Sequence, residues 1–234
     1  IHKYTPDGER LTTLGTPGQP SDSGVVDGDY RTLQRPASPF NLPTNLALSG
    51  TGEIFVSDGY GNCRVHRFSP SGELELSWGE PGSGPGQFQL PHGVAVDSRG
   101  LVVVADRENS RLQFFTADGE FREQWTDVAR PCNVCVDPRG NLFVAELGWH
   151  AGTSQPRLEQ SGGRVSVFTS SGTLLSRWGG GANPYDAGDF IAPHDIWVDR
   201  YGDVYVAEVT LSAGVSRGLV TADCATLQKF IGSG

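Results

Sequence analysis

Two histidines occupy equivalent places in repeated segments of this 234-residue chain. His92 and His194 each follow a proline, in PHGVAVD and PHDIWVD, and imidazole nitrogens are common ligands of zinc and other transition metals. Two further copies of the segment place a hydroxyl and a thiol after the proline. The four residues at this post-proline position are Thr44, His92, Cys132 and His194. A packing position would be apolar in every copy, so the variation indicates a polar site.

The segments that carry these residues have the pattern of β-strands. Each unit begins with a proline, alternates apolar and polar residues, passes a turn rich in Gly, Asp and Ser, and continues through further short strands. Such alternation between turns predicts antiparallel strands, and four strands per unit of roughly 40 to 60 residues is typical of a β-propeller blade. We therefore predict an all-β fold, a six-bladed β-propeller, without regular helices.

We expect a single propeller domain over residues 1–234. Its blades are predicted to start near residues 42, 90, 130 and 192. Residues 1–15 supply the last two strands of a fifth blade, and the final unit stops after its third strand. Because a ring must close to hide its strand edges, we expect about four to five of six blades to be represented here. Ile1 already reads as mid-strand, so an N-terminal portion, with any signal peptide, is expected upstream.

The composition argues against several classes of partner. The formal net charge is −9 and the Lys and Arg residues are scattered singly, which is unlike a nucleic-acid groove. The sequence contains no apolar run of about 18 residues that would predict a membrane span. The four cysteines are too few for a disulfide framework, so reduced thiols are expected. We expect a monomer that takes a small-molecule or peptide substrate in its central channel.

The two histidines predict a metal site on the propeller axis. Alternate blades of a six-bladed ring are related by about 120°, so imidazoles from three alternate blades would point at one spot and leave an open position. The alternative is that His92 and His194 are polar channel residues bridged by water. Cys132 lies between them in the ring, where a thiolate would break the threefold arrangement, so we rank it below the histidines. The remaining histidines, expected at the surface, are His2, His66 and His150.

Several motifs together resemble one family. SDGYGN, LPHGVAVD, VADREN and APHDIWVD resemble the NHL-repeat propellers and, among them, the peptidyl-α-hydroxyglycine α-amidating lyases. The resemblance is dense over residues 40–126 and good over 190–208. It implies a six-bladed propeller whose channel zinc is held by three histidines. The implied reaction splits a peptidyl α-hydroxyglycine into a peptide amide and glyoxylate.

The resemblance also implies individual roles. By motif, His92 and His194 are zinc ligands, Tyr60 is the catalytic tyrosine and Arg107 is the active-site arginine. Asp195 matches an aspartate of a structural calcium site. The family's third zinc histidine and a further substrate-binding arginine fall upstream of the first residue.

These implied roles are chemically consistent. Cleaving the carbinolamide C–N bond requires removal of the hydroxyl proton while the amide nitrogen leaves, and a metal ion stabilises the alkoxide. A neighbouring arginine and a dication would favour the phenolate of Tyr60, which would then act as general base. Arg107 would also hold the substrate carboxylate through a two-pronged hydrogen-bonded pair. Neither residue is repeated in the other blades, which sets both apart from architectural residues.

Repeated polar and aromatic residues have an architectural interpretation. The second strand of each unit ends in a carboxylate: Asp58, Asp106, Glu146 and Glu208. The third strand starts with an arginine in several units, including Arg64 and Arg111. Outer strands end in tryptophans that we expect to pack between blades, namely Trp78, Trp125 and Trp178. The loop at 146–163 has no counterpart in the other units and is expected to reshape the channel mouth.

Three functions remain open at this point. The first is a zinc-dependent lyase of the amidating type, or a relative acting on another small hydroxylated amide or acid, with calcium as a second metal. The second is a non-catalytic propeller that binds a protein or glycan on one face. The third is a channel-metal hydrolase such as a lactonase, which would need several acidic ligands at the channel, where Asp195 alone is suggested.

Overall fold

A computed structural model of the chain describes residues 1–181 and 183–232. It is an all-β protein with four blades arranged in a ring around a central channel, and each blade is an antiparallel sheet. The predicted fold class, a β-propeller, is therefore confirmed. None of the helices in the described part of the chain has the length and apolar character that a bilayer crossing needs.

The strands of each blade run outward from the channel in chain order. A two-stranded sheet comes first, with β1 (His2–Tyr4) and β2 (Arg10–Thr13). The first blade contains β3 (Pro43–Leu48), β4 (Ile54–Asp58), β5 (Arg64–Phe68) and β6 (Leu74–Trp78). A parallel pair follows, with β7 (Glu80–Pro81) and β8 (Gln87–Phe88). The second blade contains β9 (Pro91–Val96), β10 (Val102–Asp106), β11 (Arg111–Phe115) and β12 (Phe121–Trp125).

The last two blades carry the longest connections. The third blade contains β13 (Pro131–Val136), β14 (Leu142–Glu146), β15 (Arg164–Phe168) and β16 (Leu174–Gly179). The fourth blade contains β17 (Pro193–Val198), β18 (Val204–Glu208) and β19 (Leu227–Phe230). Short 3-10 helices span Tyr30–Thr32, Arg107–Asn109 and Val215–Arg217. One helical turn that the strand pattern did not predict, α1 (Thr210–Ala213), is too short to give a helical period.

The inner strands pack on one another in chain order, β3 on β9, β9 on β13 and β13 on β17. Side chains of the first blade also form hydrogen bonds with the second blade. Thr44 Oγ1 donates to the carbonyl oxygen of Pro91 at 3.0 Å, and Ser57 Oγ donates to the carbonyl oxygen of His92 at 3.1 Å. Apolar side chains fill the space between neighbouring sheets. This packing sets the distance between the post-proline residues of successive blades.

The tryptophans of the outer strands pack against the following blade. The pairs are Trp78 with Phe115, Trp125 with Phe168 and Trp178 with Phe230, and their ring centroids lie 5.8, 5.7 and 5.3 Å apart. Gly119 shows how close this contact is, since a Cβ there would lie 3.0 Å from the Trp78 ring and its φ is +78°. The predicted inter-blade role of the tryptophans is confirmed.

The repeated carboxylates fasten the segment that leads into each blade. Each accepts a hydrogen bond from a backbone N–H just before the inner strand of its own blade. The pairs are Asp58 with Asn41, Asp106 with Gln89, Glu146 with Ala129 and Glu208 with Ile191. Because each carboxylate binds a backbone group of its own blade, their architectural interpretation holds.

The surface prediction for His66 is wrong. His66 is fully buried on β5, its Nδ1 lies 2.7 Å from Ser77 Oγ, and its Nε2 lies 3.5 Å from Asp58 Oδ2. Phe40, from the long segment before the first blade, covers it with its ring centroid 5.4 Å away. The third strand lies inside the sheet rather than at its edge, and the repeat pattern alone does not predict that its side chains are covered. His2 is exposed and His150 is half-buried.

Replacing Asp106 with alanine should lower the free energy of unfolding by about 3–5 kcal/mol, because a buried guanidinium would lose its carboxylate. Arg111 Nε lies 2.8 Å from Asp106 Oδ2, and both side chains are buried. Urea unfolding measures the difference. Asp118, on an exposed turn of the same blade, is the control, and its alanine variant should cost less than about 1 kcal/mol. Equal losses would contradict a stabilising role of the buried Asp106 carboxylate.

Candidate functional site

The start of each inner strand lies beside the end of the second strand, since the two strands are antiparallel. The register pairs Pro43 with Asp58, Pro91 with Asp106, Pro131 with Glu146 and Pro193 with Glu208. Each post-proline residue therefore shares one mouth of the channel with the connection that follows the second strand of its blade. Tyr60 and Arg107 lie in such connections.

The structure brings His92 and His194 together at this mouth. Their strands belong to the second and fourth blades, yet their ring centroids are 4.5 Å apart and the ring planes are perpendicular. His92 is almost fully buried and His194 is half-buried. The convergence of the two imidazoles follows from the packing of β9 and β17 on either side of β13.

Cys132 joins the two histidines. One donor atom from each of His92, Cys132 and His194 lies within 4.8 Å of the others, and within residues 1–181 and 183–232 this is the one group of three or more His, Cys, Asp or Glu side chains with such spacing. Such a group could hold a metal ion. From the sequence, Cys132 ranks below the histidines, but β13 starts between β9 and β17, so the Cys132 thiol reaches the same point.

The hydrogen bonds of His92 orient its ring. Nδ1 lies 2.8 Å from the carbonyl oxygen of Cys132, which only accepts, so Nδ1 carries the proton and Nε2 presents its lone pair. Burial, together with the positive charge of Arg107, lowers the pKa of His92 well below its usual range. The same two causes lower the pKa of His194. Both rings are therefore neutral at neutral pH, which is the form that binds metals.

Tyr60 and Arg107 border the histidines. The hydroxyl of Tyr60 lies 3.1 Å from His92 Nε2, and Arg107 Nη1 donates to the same hydroxyl oxygen at 3.4 Å. The Arg107 guanidinium carbon lies 5.6 Å from the centroid of the Tyr60 ring, in cation–π range. Tyr60 is partly exposed, whereas Arg107 is buried. All four residues suggested by the motifs PHG, PHD, SDGY and ADREN are thus neighbours.

Two residues that the sequence argument missed hold Arg107 in place. Glu108 Oε1 accepts hydrogen bonds from Arg107 Nε and from Arg130 Nη2, each at 2.8 Å. Arg130 is almost fully buried and also donates to the carbonyl oxygens of Gly148 and Gly152 at 3.0 Å. Two guanidinium groups share one carboxylate, so this triad carries a net charge of about +1 at neutral pH.

A sequence signal for Arg130 existed. It precedes the repeated proline, where Leu42 and Leu90 stand in the first two blades, and all three residues have positive φ, between 50° and 63°. A charged residue at a position that is otherwise apolar is unrepeated, as are Tyr60 and Arg107, which the family resemblance implies.

Burial alone would raise the pKa of Glu108, but the hydrogen bond from Arg130 and the charges of both arginines outweigh it and hold the pKa below its usual value. Glu108 is therefore ionised at neutral pH. An ionised carboxylate between two buried guanidinium groups reduces their mutual repulsion.

A cleft opens onto this group. A cavity of about 210 Å³ is lined by Tyr60, Arg107 and His194, with Leu147 and Val209 among its apolar walls. A second cavity of about 240 Å³ adjoins it and shares Tyr60 and Arg107 as lining residues. The loop at 146–163 contributes to both cavities, which agrees with its predicted effect on the channel mouth.

The structure does not bring Asp195 into the histidine group. Its Oδ1 accepts hydrogen bonds from Asn133 Nδ2 and, at 2.8 Å, from the backbone N–H of Ile196. The Asp195 carboxylate is not among the donor atoms that lie within 4.8 Å of one another in this group. A calcium site at Asp195 stays a prediction.

Comparison with known proteins places the chain among related propellers. Residues 88–115 match the NHL repeat family model. The chain is 32% identical over 217 residues to human NHL repeat-containing protein 3, which covers 89% of this chain and 56% of that protein. It is 31% identical over 233 residues to the Drosophila melanogaster peptidyl-alpha-hydroxyglycine alpha-amidating lyase 1, which covers 89% of this chain and 39% of that protein. The chain thus spans less than two thirds of either relative.

A solved structure of streptogramin B lyase has the same fold, with a TM-score of 0.56 at 17% identity over 100% of this chain and 62% of that one. The repeat match and the ring of blades define this chain as an NHL-repeat β-propeller. Among such propellers, it resembles the peptidyl-α-hydroxyglycine α-amidating lyases.

Replacing Glu108 with glutamine should lower the free energy of unfolding at about pH 7 by about 3–5 kcal/mol, because Arg130 would lose its ionic partner in a buried site. The folded-state pKa of Glu108 lies below its unfolded value. The stabilisation from its charge is therefore present above about pH 4.3 and is lost as the pH falls through the folded-state pKa. The difference between the two proteins should shrink below about pH 4.

Urea unfolding at several pH values measures this difference. Glu120 is the control, since it forms a surface pair with Arg122 at 2.9 Å, and its glutamine variant should cost at most about 1 kcal/mol at any pH. A loss for the Glu108 variant that stays constant as the pH falls would show that Glu108 carries no charge in the folded protein.

Proposed function

We propose that this chain belongs to a metal-assisted lyase that cleaves the carbinolamide C–N bond of a peptidyl α-hydroxyglycine, or of a related small hydroxylated amide, and releases glyoxylate or its equivalent. The observation that carries the proposal is the meeting of His92, His194, Tyr60 and Arg107 at one mouth of the channel, where all of them except His92 line one cleft. The similarity to amidating lyases adds a reaction class that fits these side chains.

The residues present fit a zinc ion. His92 and His194 are neutral, their rings are close, and a backbone carbonyl holds the Nδ1 proton of His92, so Nε2 would be the ligand atom and the ion would replace its hydrogen bond with Tyr60. Nitrogen donors of this kind suit zinc better than magnesium or calcium. When bound, the ion would supply Lewis-acid polarisation of the substrate hydroxyl.

Arg107 would bind the carboxylate of the substrate. Its guanidinium lines both cavities beside Tyr60, and the triad with Glu108 and Arg130 keeps about one positive charge unneutralised. A carboxylate in the cleft would therefore meet a cation that is already desolvated and held in position. Glu108 and Arg130 act as positioning residues because they restrain Arg107 without lining the cavity beside His194.

Tyr60 would move the proton. Its hydroxyl oxygen accepts a hydrogen bond from Arg107, and the hydroxyl borders His92 Nε2. As the substrate C–N bond breaks, Tyr60 in its phenolate form would take the proton of the carbinol hydroxyl and would then give that same proton to the leaving amide nitrogen. The electron pair of the C–N bond leaves with nitrogen and the carbinol oxygen becomes a carbonyl, so atoms and charge balance without a further reagent.

The lactonase alternative is less well supported. It requires several acidic ligands at the channel, and the donor group at the mouth of the described chain consists of two imidazoles and a thiol. The non-catalytic alternative predicts no metal in this group and no glyoxylate production. Measurements of zinc content and of glyoxylate release therefore distinguish the non-catalytic alternative from the lyase.

The purified chain should bind about one zinc ion, and the double variant His92→Ala/His194→Ala should lose it, because two of its nitrogen ligands would be gone. Metal content after dialysis, measured by mass spectrometry, gives the result. The double variant His2→Ala/His150→Ala removes two histidines outside the donor group and should keep the ion. Equal zinc content in the two double variants would overturn the metal assignment.

Replacing Tyr60 with phenylalanine should lower the rate of glyoxylate release from a peptidyl α-hydroxyglycine by about 10²–10⁴-fold, since the proton acceptor would be lost. Zinc content should not change. The control is Tyr201→Phe, because Tyr201 is exposed at a turn of the fourth blade. If the wild-type chain binds zinc yet both tyrosine variants match its rate, Tyr60 is not the base.

A further inference from the structure

We propose that Cys132 is a third ligand of this metal centre, so that the ion is held by two imidazoles and one thiolate that all come from this chain. The inference rests on the proposed metal site at His92 and His194. It differs from the three-histidine site that the family resemblance implies, because it needs no histidine from another blade.

The positions of the donor atoms carry the proposal. The three side chains have donor atoms within 4.8 Å of one another. Zn–S bonds of about 2.3 Å and Zn–N bonds of about 2.1 Å in a tetrahedron place ligand atoms about 3.4–3.7 Å apart. Shifts of about 1 Å, within reach of side-chain rotation, would therefore close the site around an ion.

The Cys132 thiol is enclosed by apolar side chains that include Leu147 and Ile191. The residue is completely buried and its sulfur forms no disulfide. Burial raises the pKa of Cys132 to about 11, although the positive charges of Arg107 and Arg130 oppose this. A bound dication would displace the thiol proton, which would pass to solvent, and the sulfur would then be the one anionic ligand of the three.

Electrostatics gives a reason for an anionic ligand here. The Arg107, Glu108 and Arg130 triad already carries about one positive charge beside the site. A dication held only by neutral imidazoles would add two positive charges at short range in a buried place, where repulsion is poorly screened. A thiolate halves that added charge, which favours binding of the ion next to Arg107.

A thiolate ligand also favours particular metals and affects whether substrate can reach the ion. Thiolate and imidazole ligands select zinc, cobalt or copper over calcium and magnesium. With three protein ligands, a tetrahedral ion keeps one position open. Tyr60, Arg107 and His194 line the cleft on the exposed side, so the open position would face the space that the substrate needs.

The test uses cobalt as a spectroscopic substitute for zinc. The chain loaded with Co²⁺ should show a sulfur-to-cobalt charge-transfer band in the near ultraviolet, and Cys132→Ser should lose the band and weaken Co²⁺ binding by at least about 10–100-fold. Cys135→Ala is the matched control, because Cys135 is a buried cysteine on the same strand that lies outside the donor group. It should keep both the band and the affinity.

A second variant guards against loss of folding. Cys132→His should bind Co²⁺ without the charge-transfer band, since a nitrogen would replace the sulfur, and circular dichroism would report the fold of every variant. Co²⁺ bound by the wild type without that band, an unchanged band in Cys132→Ser, or no Co²⁺ binding by the folded wild type would each overturn the inference. A band that depends on Cys132, in a chain that releases no glyoxylate, would support the thiolate ligand. Such a result would contradict only the proposed lyase activity.

Discussion

The packing of each inner strand on the next is the constraint on which this structure depends. All inner strands start at a repeated proline, and each is antiparallel to the second strand of its blade. One mouth of the channel therefore receives, from every blade, a post-proline side chain and the connection after the second strand. Residues far apart in the chain, such as Tyr60 and His194, line one cavity for this reason.

The same geometry separates the residues that hold each blade together from the residues that could act on a substrate. The carboxylate at the end of each second strand binds backbone N–H groups just before the inner strand. These hydrogen bonds stabilise each blade next to the channel mouth. The connections beyond that carboxylate are free to vary. They are short in the first two blades and long in the third and fourth, where residues 147–163 and 209–226 build the walls of the cleft.

Charge is concentrated at the mouth although the protein as a whole is acidic. The formal net charge is −9, yet two buried arginines share one glutamate next to the two neutral histidines. Burying cations costs free energy unless partners satisfy them, and here Glu108 and loop carbonyls from the third blade do so. The loop at 146–163 thus serves the site twice, as cavity wall and as hydrogen-bonding support for Arg130.

The family resemblance implied Tyr60 and Arg107, whereas the sequence by itself determined the blade pattern and the mouth position of His92 and His194. These depend on strand alternation and repeat register, which are local properties. Only the tertiary structure decided that Cys132 reaches the histidines, that Glu108 links Arg107 to Arg130, that His66 is buried and that Asp195 lies outside the donor group. Those outcomes depend on distances between blades and on how loops fold over them, and such distances arise from packing that no single strand encodes.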